Sequence, residues 1–316
     1  MWKTILLCIL FCVGCDRHKQ IKTANKDVGV NSERKILPTS DFEINRFPSE
    51  ILTVMSWNLH WFPGRGMVAT EGERSNHITA AREIIAKHPA DIICFQEVCD
   101  KKATQELISA LPDYELHIVS NFPGRQQVAI ASSIQPVAGY QQDFHPAGTH
   151  PPRGFAFAAY REGDSYTLVY CVHLKSNLGD FKANILKREE SARQLISHCQ
   201  KVSNDFKAQG AKNVAVIIAG DFNTDPVDER YSKEQTSAIL MKADFQWSWE
   251  GVGFNDRVTW KSNGKYPDAC FDHFFYRGVD RANCLVVTLS WMTTRWHAAC
   301  APPDEPPEKL VTHHFL

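Results

Sequence analysis

The chain has 316 residues and a net charge of −1, from 35 basic and 36 acidic side chains. A near-neutral chain carries no global basic field for nucleic acid, which disfavours a long non-specific polyanion clamp but not a nuclease with a local basic groove. A hydrophobic content of 43% with 22% charged residues is typical of a globular protein with a sizeable core.

The amino terminus has the pattern of a secretory signal. Residues Ile5–Val13 form an apolar run that is too short to cross a bilayer. The run leads to Gly14-Cys15 and resembles a bacterial lipoprotein signal, although Cys12 stands where Leu is usual. A plain signal peptide is the alternative. Either reading predicts an extracytoplasmic protein, periplasmic or at the cell surface, and the first adds membrane anchoring through a lipidated Cys15.

The rest of the chain divides into a tether and one domain. Residues 1–15 are the predicted signal, residues 16–47 are polar and predicted to be a flexible tether, and residues 48–316 are predicted to form one domain, which we expect to be a monomer. Seven cysteines follow the signal, and an odd number requires at least one unpaired thiol. Cys94 and Cys171 lie inside apolar runs and are expected to be core residues.

Secondary structure is predicted from the spacing of apolar residues. Short apolar runs predict strands at Ile51–Trp57, Asp91–Gln96, Tyr114–Val119, Gln127–Ser132, Phe155–Tyr160, Tyr166–Val172, Val214–Ile218, Phe271–Tyr276 and Cys284–Leu289. Spacings of three and four predict helices at Ile78–His88, Ala103–Leu111 (with Asp100 as its cap) and Ile185–Phe206. The segment that follows Asn58, up to Asn76, is predicted to be a loop. Strands and helices alternate unevenly, which indicates an α/β or α+β fold.

Several of these strands stop at polar side chains. The sequence NVAVIIAGDFNTDP (213–226) is the clearest case, because a buried strand gives way at once to Asp221 and Asn223. Taken alone, GDFN is equally well read as an ordinary Asx turn. The other polar strand ends are Asn58, Gln96-Glu97, His173 with Lys175 and Asn177, and Asp272-His273. Chemistry collects where strand ends converge, so we expect these residues to share one pocket.

Five segments, in this order, resemble the endonuclease/exonuclease/phosphatase superfamily of metal-dependent phosphoesterases. They are SWNLHW (56–61), FQEV (95–98), HLKSN (173–177), GDFN (220–223) and FDHFFY (271–276). Each is weak alone, and their order makes the resemblance specific. It implies an α/β (α+β) four-layer sandwich, two packed mixed β-sheets flanked by helices, with the site at one edge.

The resemblance also implies roles for individual residues. Glu97 would be the main metal-binding carboxylate with Asn58 beside it, a donor set that suits Mg²⁺ or Mn²⁺. Asp221 would orient or deprotonate the attacking water, and His173 would donate to a phosphate oxygen. Residues on the substrate side would be Asn223, Asn177, Lys175 and Arg125. Arg125 and Arg153 are loop cations that could bind phosphate or be solvated surface residues.

The carboxyl terminus both matches and departs from the family pattern. His314 matches the family's terminal histidine, and Asp272 matches the carboxylate that orients it. His313 stands where the family has a carboxylate near the metal, and as a predicted metal ligand it would favour Mn²⁺ or a zinc-like ion, or weaken a second metal position. His60 likewise occupies a position where some members carry a carboxylate.

The resulting hypothesis is an extracytoplasmic phosphoesterase that cleaves a P–O bond by in-line attack of water. Its substrate is a nucleic acid or a small or lipid phosphoester, and the neutral charge and lipid tether mildly favour the second. A degenerate family member that acts as a surface binding module is the alternative, motivated by His313 and His60. A hydrolase with a cysteine nucleophile is a third possibility, which has no sequence signature.

Overall fold

Twelve strands form two mixed sheets in the computed structural model, which describes residues 4–10, 51–64, 68–261, 266–279 and 284–288. The first sheet contains β1 (Thr4–Leu10), β2 (Ile51–Phe62), β3 (Ile92–Val98), β4 (Glu115–Val119), β5 (Gln127–Ser132) and β12 (Cys284–Thr288), in the order β12-β1-β2-β3-β5-β4. The second contains β6 (Ala138–Asp143), β7 (Gly154–Glu162), β8 (Ser165–His173), β9 (Asn213–Asp221), β10 (Gln246–Trp247) and β11 (Asp272–Arg277), in the order β10-β11-β9-β8-β7-β6.

Helices cover the outer faces of both sheets. Residues of β2 alternate, so that Val54 enters the core between the sheets while Met55 packs with α1 (Glu71–Lys87) and α2 (Lys101–Ser109). On the second sheet, Tyr170 of β8 contacts His198 of α3 (Phe181–Ala208), which packs beside α4 (Thr236–Lys242). A four-residue helix, α5 (Phe254–Arg257), lies in a loop. The predicted four-layer sandwich is therefore confirmed.

The predicted loop between Asn58 and Asn76 is wrong in extent. Strand β2 continues to Phe62, and α1 already begins at Glu71. Thr70 and Glu73 form a capping box, in which each side chain accepts a hydrogen bond from the other residue's backbone N–H. That signal is in the sequence, but the low apolar content of the first turn hid it. The predicted cap of α2 by Asp100 is confirmed, since its carboxylate accepts from the N–H groups of Lys102 and Ala103.

Several further elements were not predicted, among them β6, α4, β10 and α5. Strand β6 is an edge strand of sequence AGYQQD, half-buried along most of its length, and it pairs antiparallel with β7. Helix α4 has only seven residues and has no side-chain cap. Helix α3 also begins four residues earlier than predicted, at Phe181, because Asp180 caps it.

The predicted signal segment overlaps β1, which pairs in parallel with β2 and β12. A chain cleaved before Cys15 would lack this strand, and cleavage and lipidation stay predictions. No helix among the described residues is long and apolar enough to cross a membrane. The cysteines whose side chains are described are all free thiols, and Cys94 and Cys171 are fully buried, as predicted for core residues.

Candidate active site

The second sheet places three predicted catalytic residues side by side. His173 ends β8, Asp221 ends β9 and Asp272 begins β11, and the strand register pairs Asp221 with each of the other two. The Nε2 atom of His173 lies 3.6 Å from Oδ2 of Asp221. All three residues are buried. The expectation that these strand ends converge is confirmed for the described segments.

The first sheet contributes Asn58 and Glu97 from neighbouring strands. The Nδ2 atom of Asn58 donates to Glu97 Oε1 at 3.3 Å and to Asp221 Oδ2 at 3.0 Å, so this one amide joins the two sheets. Backbone groups of the next turn complete the arrangement. The N–H of His60 donates to Asn58 Oδ1 at 2.9 Å, and that of Trp61 donates to Glu97 Oε2 at 3.0 Å. Hydrogen bonds therefore fix both polar atoms of the Asn58 amide and both oxygens of the Glu97 carboxylate.

Burial and mutual repulsion dominate the electrostatics of the site. Burial, followed by the charge of Glu97, raises the pKa of Asp221 to about 7, against the opposing effect of the Asn223 N–H. Burial and then the charge of Asp221 raise the pKa of Asp272 well above its usual range. Burial, aided by the cations of Arg153 and Lys175, lowers the pKa of His173 well below its usual value, so this imidazole is neutral.

These residues fit a divalent cation. One ligand atom each from Glu97, His173 and Asp221 lies within 4.8 Å of the other two. Carboxylates that repel one another in a buried site are stabilised by a cation, and this donor set suits Mg²⁺ or Mn²⁺, with the imidazole favouring the softer ion. Asn58, predicted as a ligand, here directs its Nδ2 to the carboxylates and its Oδ1 to the His60 N–H. His313, the third predicted ligand, lies outside the described residues.

One carboxylate oxygen of Asp272, Oδ1, is buried without a hydrogen-bond donor among the described residues. The hydroxyl of Thr259 accepts from the backbone N–H groups of Phe271 and Asp272, at 2.7 and 3.0 Å, and so fixes this end of β11. His314 is the partner that the sequence predicts for Asp272, and it lies beyond the described ranges.

The two asparagines predicted to contact the substrate adjoin this group. The backbone N–H of Asn223 donates to Asp221 Oδ1 at 2.8 Å, and its Nδ2 donates to Leu174 O at 3.3 Å. The Nδ2 of Asn177 donates to Asn223 O at 3.0 Å and to the Tyr231 hydroxyl at 2.9 Å. The Oδ1 of Asn177 is buried and has no partner among the described residues, which leaves an acceptor for a ligand.

The two predicted substrate-side cations differ from each other. The Nζ of Lys175 donates to the carbonyls of Ser176 and Leu178 and lies 3.2 Å from Ser176 Oγ, so it is held within its own loop. Burial and then neighbouring cations lower the pKa of Lys175 to about 8. Arg125, in contrast, is exposed in the loop before β5.

Two residues that hold the site together were not identified from the sequence. Thr259 carried no signal, because one threonine in an irregular segment has no pattern. The sequence indicates Arg153 only as a loop cation, either a phosphate ligand or a solvated surface residue. In the structure Arg153 is half-buried, and its Nη1 donates to the carbonyls of His173 and Leu174.

Comparison with known proteins gives one match to a family. A family model described as Endonuclease/Exonuclease/phosphatase family matches residues 55–291, three quarters of the chain and all five of the motifs named above. No curated protein matched the sequence.

Solved structures with similar chain traces include the following. The human Nocturnin catalytic domain with bound sulfate anion is 21% identical, with a TM-score of 0.49, over 71% of this chain and 81% of that one. An endonuclease/exonuclease/phosphatase family protein from Bacteroides thetaiotaomicron is 18% identical, with a TM-score of 0.49, over 72% of this chain and 81% of that one. Truncated Caenorhabditis elegans TDP2 is 19% identical, with a TM-score of 0.47, over 71% and 83%.

Proposed function

The chain belongs to the endonuclease/exonuclease/phosphatase family, and we propose that it is a divalent-metal-dependent phosphoesterase that hydrolyses a P–O bond by in-line attack of water. The observation that carries the proposal is the convergence of Glu97, His173 and Asp221 from both sheets, with Asp272 next to them. A bound Mg²⁺ or Mn²⁺ would supply charge neutralisation for the phosphate and the leaving oxygen.

Asp221 is suited to take the proton of the attacking water. A general base must lie within reach of the proton that it takes, and Asp221 ends β9 beside Glu97 and His173 at the point where the two sheets meet. The Asn58 amide and the Asn223 N–H hold its two oxygens in place. The carboxylate is therefore oriented before substrate binds, which lowers the cost of reaching the reactive geometry.

The histidines complete the proposed roles. His173 is buried and neutral, so a ring that leaves the cation to Glu97 and Asp221 can donate its single N–H to a phosphate oxygen without adding a charge. Its Nδ1 is buried and has no partner among the described residues. His314, which the family resemblance pairs with Asp272, would stabilise the transition state or donate a proton.

The test is an assay of the full chain on four substrates: plasmid DNA, a phosphoinositide, sphingomyelin and a chromogenic phosphodiester, each with and without EDTA. We expect at least one to be hydrolysed with Mg²⁺ or Mn²⁺ and none with EDTA. Glu97→Ala and His314→Ala should each lower kcat by about 10²–10⁴-fold. Glu115→Ala, which removes an exposed carboxylate of β4, is the matched control. Full activity of either site variant would refute its role.

The same assay separates the rival functions. A surface binding module predicts no metal-dependent turnover of any substrate, and ligand binding that survives Glu97→Ala. A cysteine hydrolase predicts inhibition by thiol reagents and no effect of EDTA. The fold disfavours the cysteine route, because burial raises the pKa of Cys94, Cys199 and Cys270 and so suppresses their nucleophilic thiolates.

We also propose that the protein is extracytoplasmic, acts as a monomer and is anchored to a membrane through Cys15. The support is the apolar segment before Gly14-Cys15 and the polar stretch that follows it. A lipid tether and a near-neutral chain favour a small or membrane-borne phosphoester. Cys15→Ser should move the protein from the membrane fraction to the soluble fraction, and an unchanged distribution would refute the anchor.

A further inference from the structure

The guanidinium of Arg153 bonds to two segments of the chain. One is the end of β8, which carries His173, and the other is the loop that contains the predicted substrate-side cation Arg125. Its Nη1 donates to His173 O at 2.6 Å and to Leu174 O at 3.0 Å, and its Nη2 donates to Gln126 Oε1 at 3.3 Å. The first two acceptors lie at the end of β8. Gln126 follows Arg125, the exposed cation of the neighbouring loop.

The carbonyls that Arg153 binds belong to the backbone that supports the site. Leu174 donates its N–H to Asp221 O at 2.8 Å, and its carbonyl also accepts from the Asn223 side chain. His173, one residue earlier, is the register partner of Asp221. A displacement of this segment would therefore move the histidine, the carboxylate and the asparagine together.

Arg153 reaches this position at a conformational cost. Its backbone is left-handed, with φ 65°, which an arginine rarely adopts. The following Gly154 leaves no room for a Cβ, because that atom would overlap Gln142 O of β6. The turn into β7 is thus fixed by close packing. Glu97 and Asp221 are the acidic groups that attract the guanidinium.

We propose that Arg153 is a positioning residue, which clamps the end of β8 to the loop of Arg125 and Gln126 and so sets the place of His173 in the site. Three of its five guanidinium N–H groups donate to protein acceptors on two segments, which favours this positioning role over that of a phosphate ligand. A lysine, with a single nitrogen, cannot hold both segments in this way. This inference rests on the proposed hydrolase function.

The kinetic test uses Arg153→Lys and Arg153→Met in the full chain, with bis(4-nitrophenyl) phosphate at saturating Mn²⁺. Both variants should lose about 10²-fold in kcat, because a misplacement near 1 Å at the reacting groups costs about that much. KM should stay within about threefold, since no contact with substrate is removed. Arg161→Lys and Arg161→Met are the controls, because Arg161 lies near the far end of β7, the strand that follows Arg153, and its described contacts are with Gly163 O and the Tyr166 ring, away from the site. A raised KM that lysine restores would show a phosphate ligand and overturn the proposal.

A second measurement does not depend on turnover. Hydrogen exchange of peptides covering 170–178 and 121–126 should be faster in both Arg153 variants than in the wild type, with little change elsewhere. If neither variant folds, Gln126→Ala provides the test. It removes the Arg153 Nη2 bond to Gln126 Oε1 and should lower kcat a few-fold. Unchanged exchange together with unchanged kcat in any folded variant would overturn the proposal. A wild-type protein that hydrolyses no phosphoester would instead refute the proposed function, while the exchange comparison would still decide the role of Arg153.

Discussion

Glu97 holds a left-handed backbone conformation, φ 58°, that few glutamates adopt. Seven non-glycine residues in the described part of the chain have positive φ, and most of them lie at this site: His60, Trp61, Glu97, Arg153 and Asn223. Each costs on the order of 1–3 kcal/mol and persists only where surrounding contacts determine it. Here those contacts are the bonds that hold Asn58, Glu97 and Asp221. The strain is therefore concentrated where side chains must be held close together.

Metal binding should be visible as a change in thermal stability. A cation at about 100 times its Kd stabilises the native state by about 2.7 kcal/mol, which corresponds to a rise in Tm of roughly 5–10 °C for a domain of this size. We expect Mg²⁺ or Mn²⁺ to produce such a rise in the wild type. Glu97→Gln should abolish it, because one carboxylate ligand is lost. Differential scanning calorimetry with and without EDTA measures both.

The matched control for the metal experiment is Glu115→Gln, which neutralises an exposed carboxylate. This variant should keep the full rise in Tm. In EDTA, Glu97→Gln should unfold near the wild-type temperature, because relief of the repulsion with Asp221 is offset by the loss of one of the two hydrogen bonds that the Glu97 carboxylate accepts. A wild-type protein whose Tm responds to neither ion would contradict the metal site.

At the level of elements, the site depends on the register of β8, β9 and β11. His173, Asp221 and Asp272 are direct neighbours only in the observed pairing, and a slip of one residue would turn each side chain to the other face. Gly220 is the point where this register is most tightly constrained. Its φ is 149°, and an added Cβ would overlap Val172 O of the neighbouring strand.

Gly220→Ala should therefore be strongly destabilising. The clash with backbone and the unfavourable φ together predict a loss of about 3 kcal/mol or more in the free energy of unfolding. Urea denaturation followed by circular dichroism gives this value. Gly72→Ala is the opposite control, since Gly72 lies in the first turn of α1 with open space around it and alanine should stabilise the helix by roughly 0.5–1 kcal/mol. Equal effects of the two substitutions would contradict this explanation.

The elements that the sequence predicted well are those with long apolar runs. Strand β5 has the predicted bounds, and β8 and β9 differ only at their ends, because their buried residues leave little ambiguity. Strand β6 was missed because it is an edge strand with polar residues and partial burial, so it lacks both an apolar run and a clear alternation. Its position is set by pairing with β7, which is a long-range contact that local patterns do not contain.

For the whole molecule, the sequence indicated which residues meet but not what holds them together. Asn58, Glu97, His173 and Asp221 are expected to share one pocket because polar residues end buried strands, and the structure brings their polar atoms close together. Apart from the Arg153 bond to Gln126 Oε1, the supporting bonds of Arg153 and Thr259 go to backbone carbonyls and N–H groups, which every residue type carries and no motif encodes. Outside the described ranges, the roles of His313 and His314 stay predictions.

A second buried group, behind the site, should make the whole domain sensitive to acid. His273 is fully buried, accepts from Trp247 Nε1 at 3.1 Å and lies 2.8 Å from Thr224 O through its Nε2. Burial lowers its pKa to about 4, against the opposing effects of the Thr224 carbonyl and Asp225, while the Arg257 cation lowers it further. Asp225 and Arg257 form a buried ion pair at 2.7 Å on this side, and Cys270 Sγ lies 3.8 Å from the ring.

The direction of the pH effect follows from the lowered pKa. Between pH 6.5 and about 4 the unfolded chain binds a proton at His273 that the native state excludes, so stability is full above pH 6.5 and falls as the pH falls. The slope approaches 1.4 kcal/mol per pH unit, and the loss amounts to about 2 kcal/mol between pH 7.5 and 5. His273→Gln should be less stable than the wild type at pH 7.5, but its free energy of unfolding should fall by about 2 kcal/mol less than that of the wild type when the pH is lowered to 5. Urea denaturation at pH 7.5 and at pH 5 measures both values. His145→Gln, which changes an exposed loop histidine, should reproduce the wild-type difference. His173 and Asp221 titrate in all three proteins, so the contribution of His273 is the difference between the wild type and the variant. Parallel curves of stability against pH for the wild type and His273→Gln would refute the role of His273 in acid sensitivity.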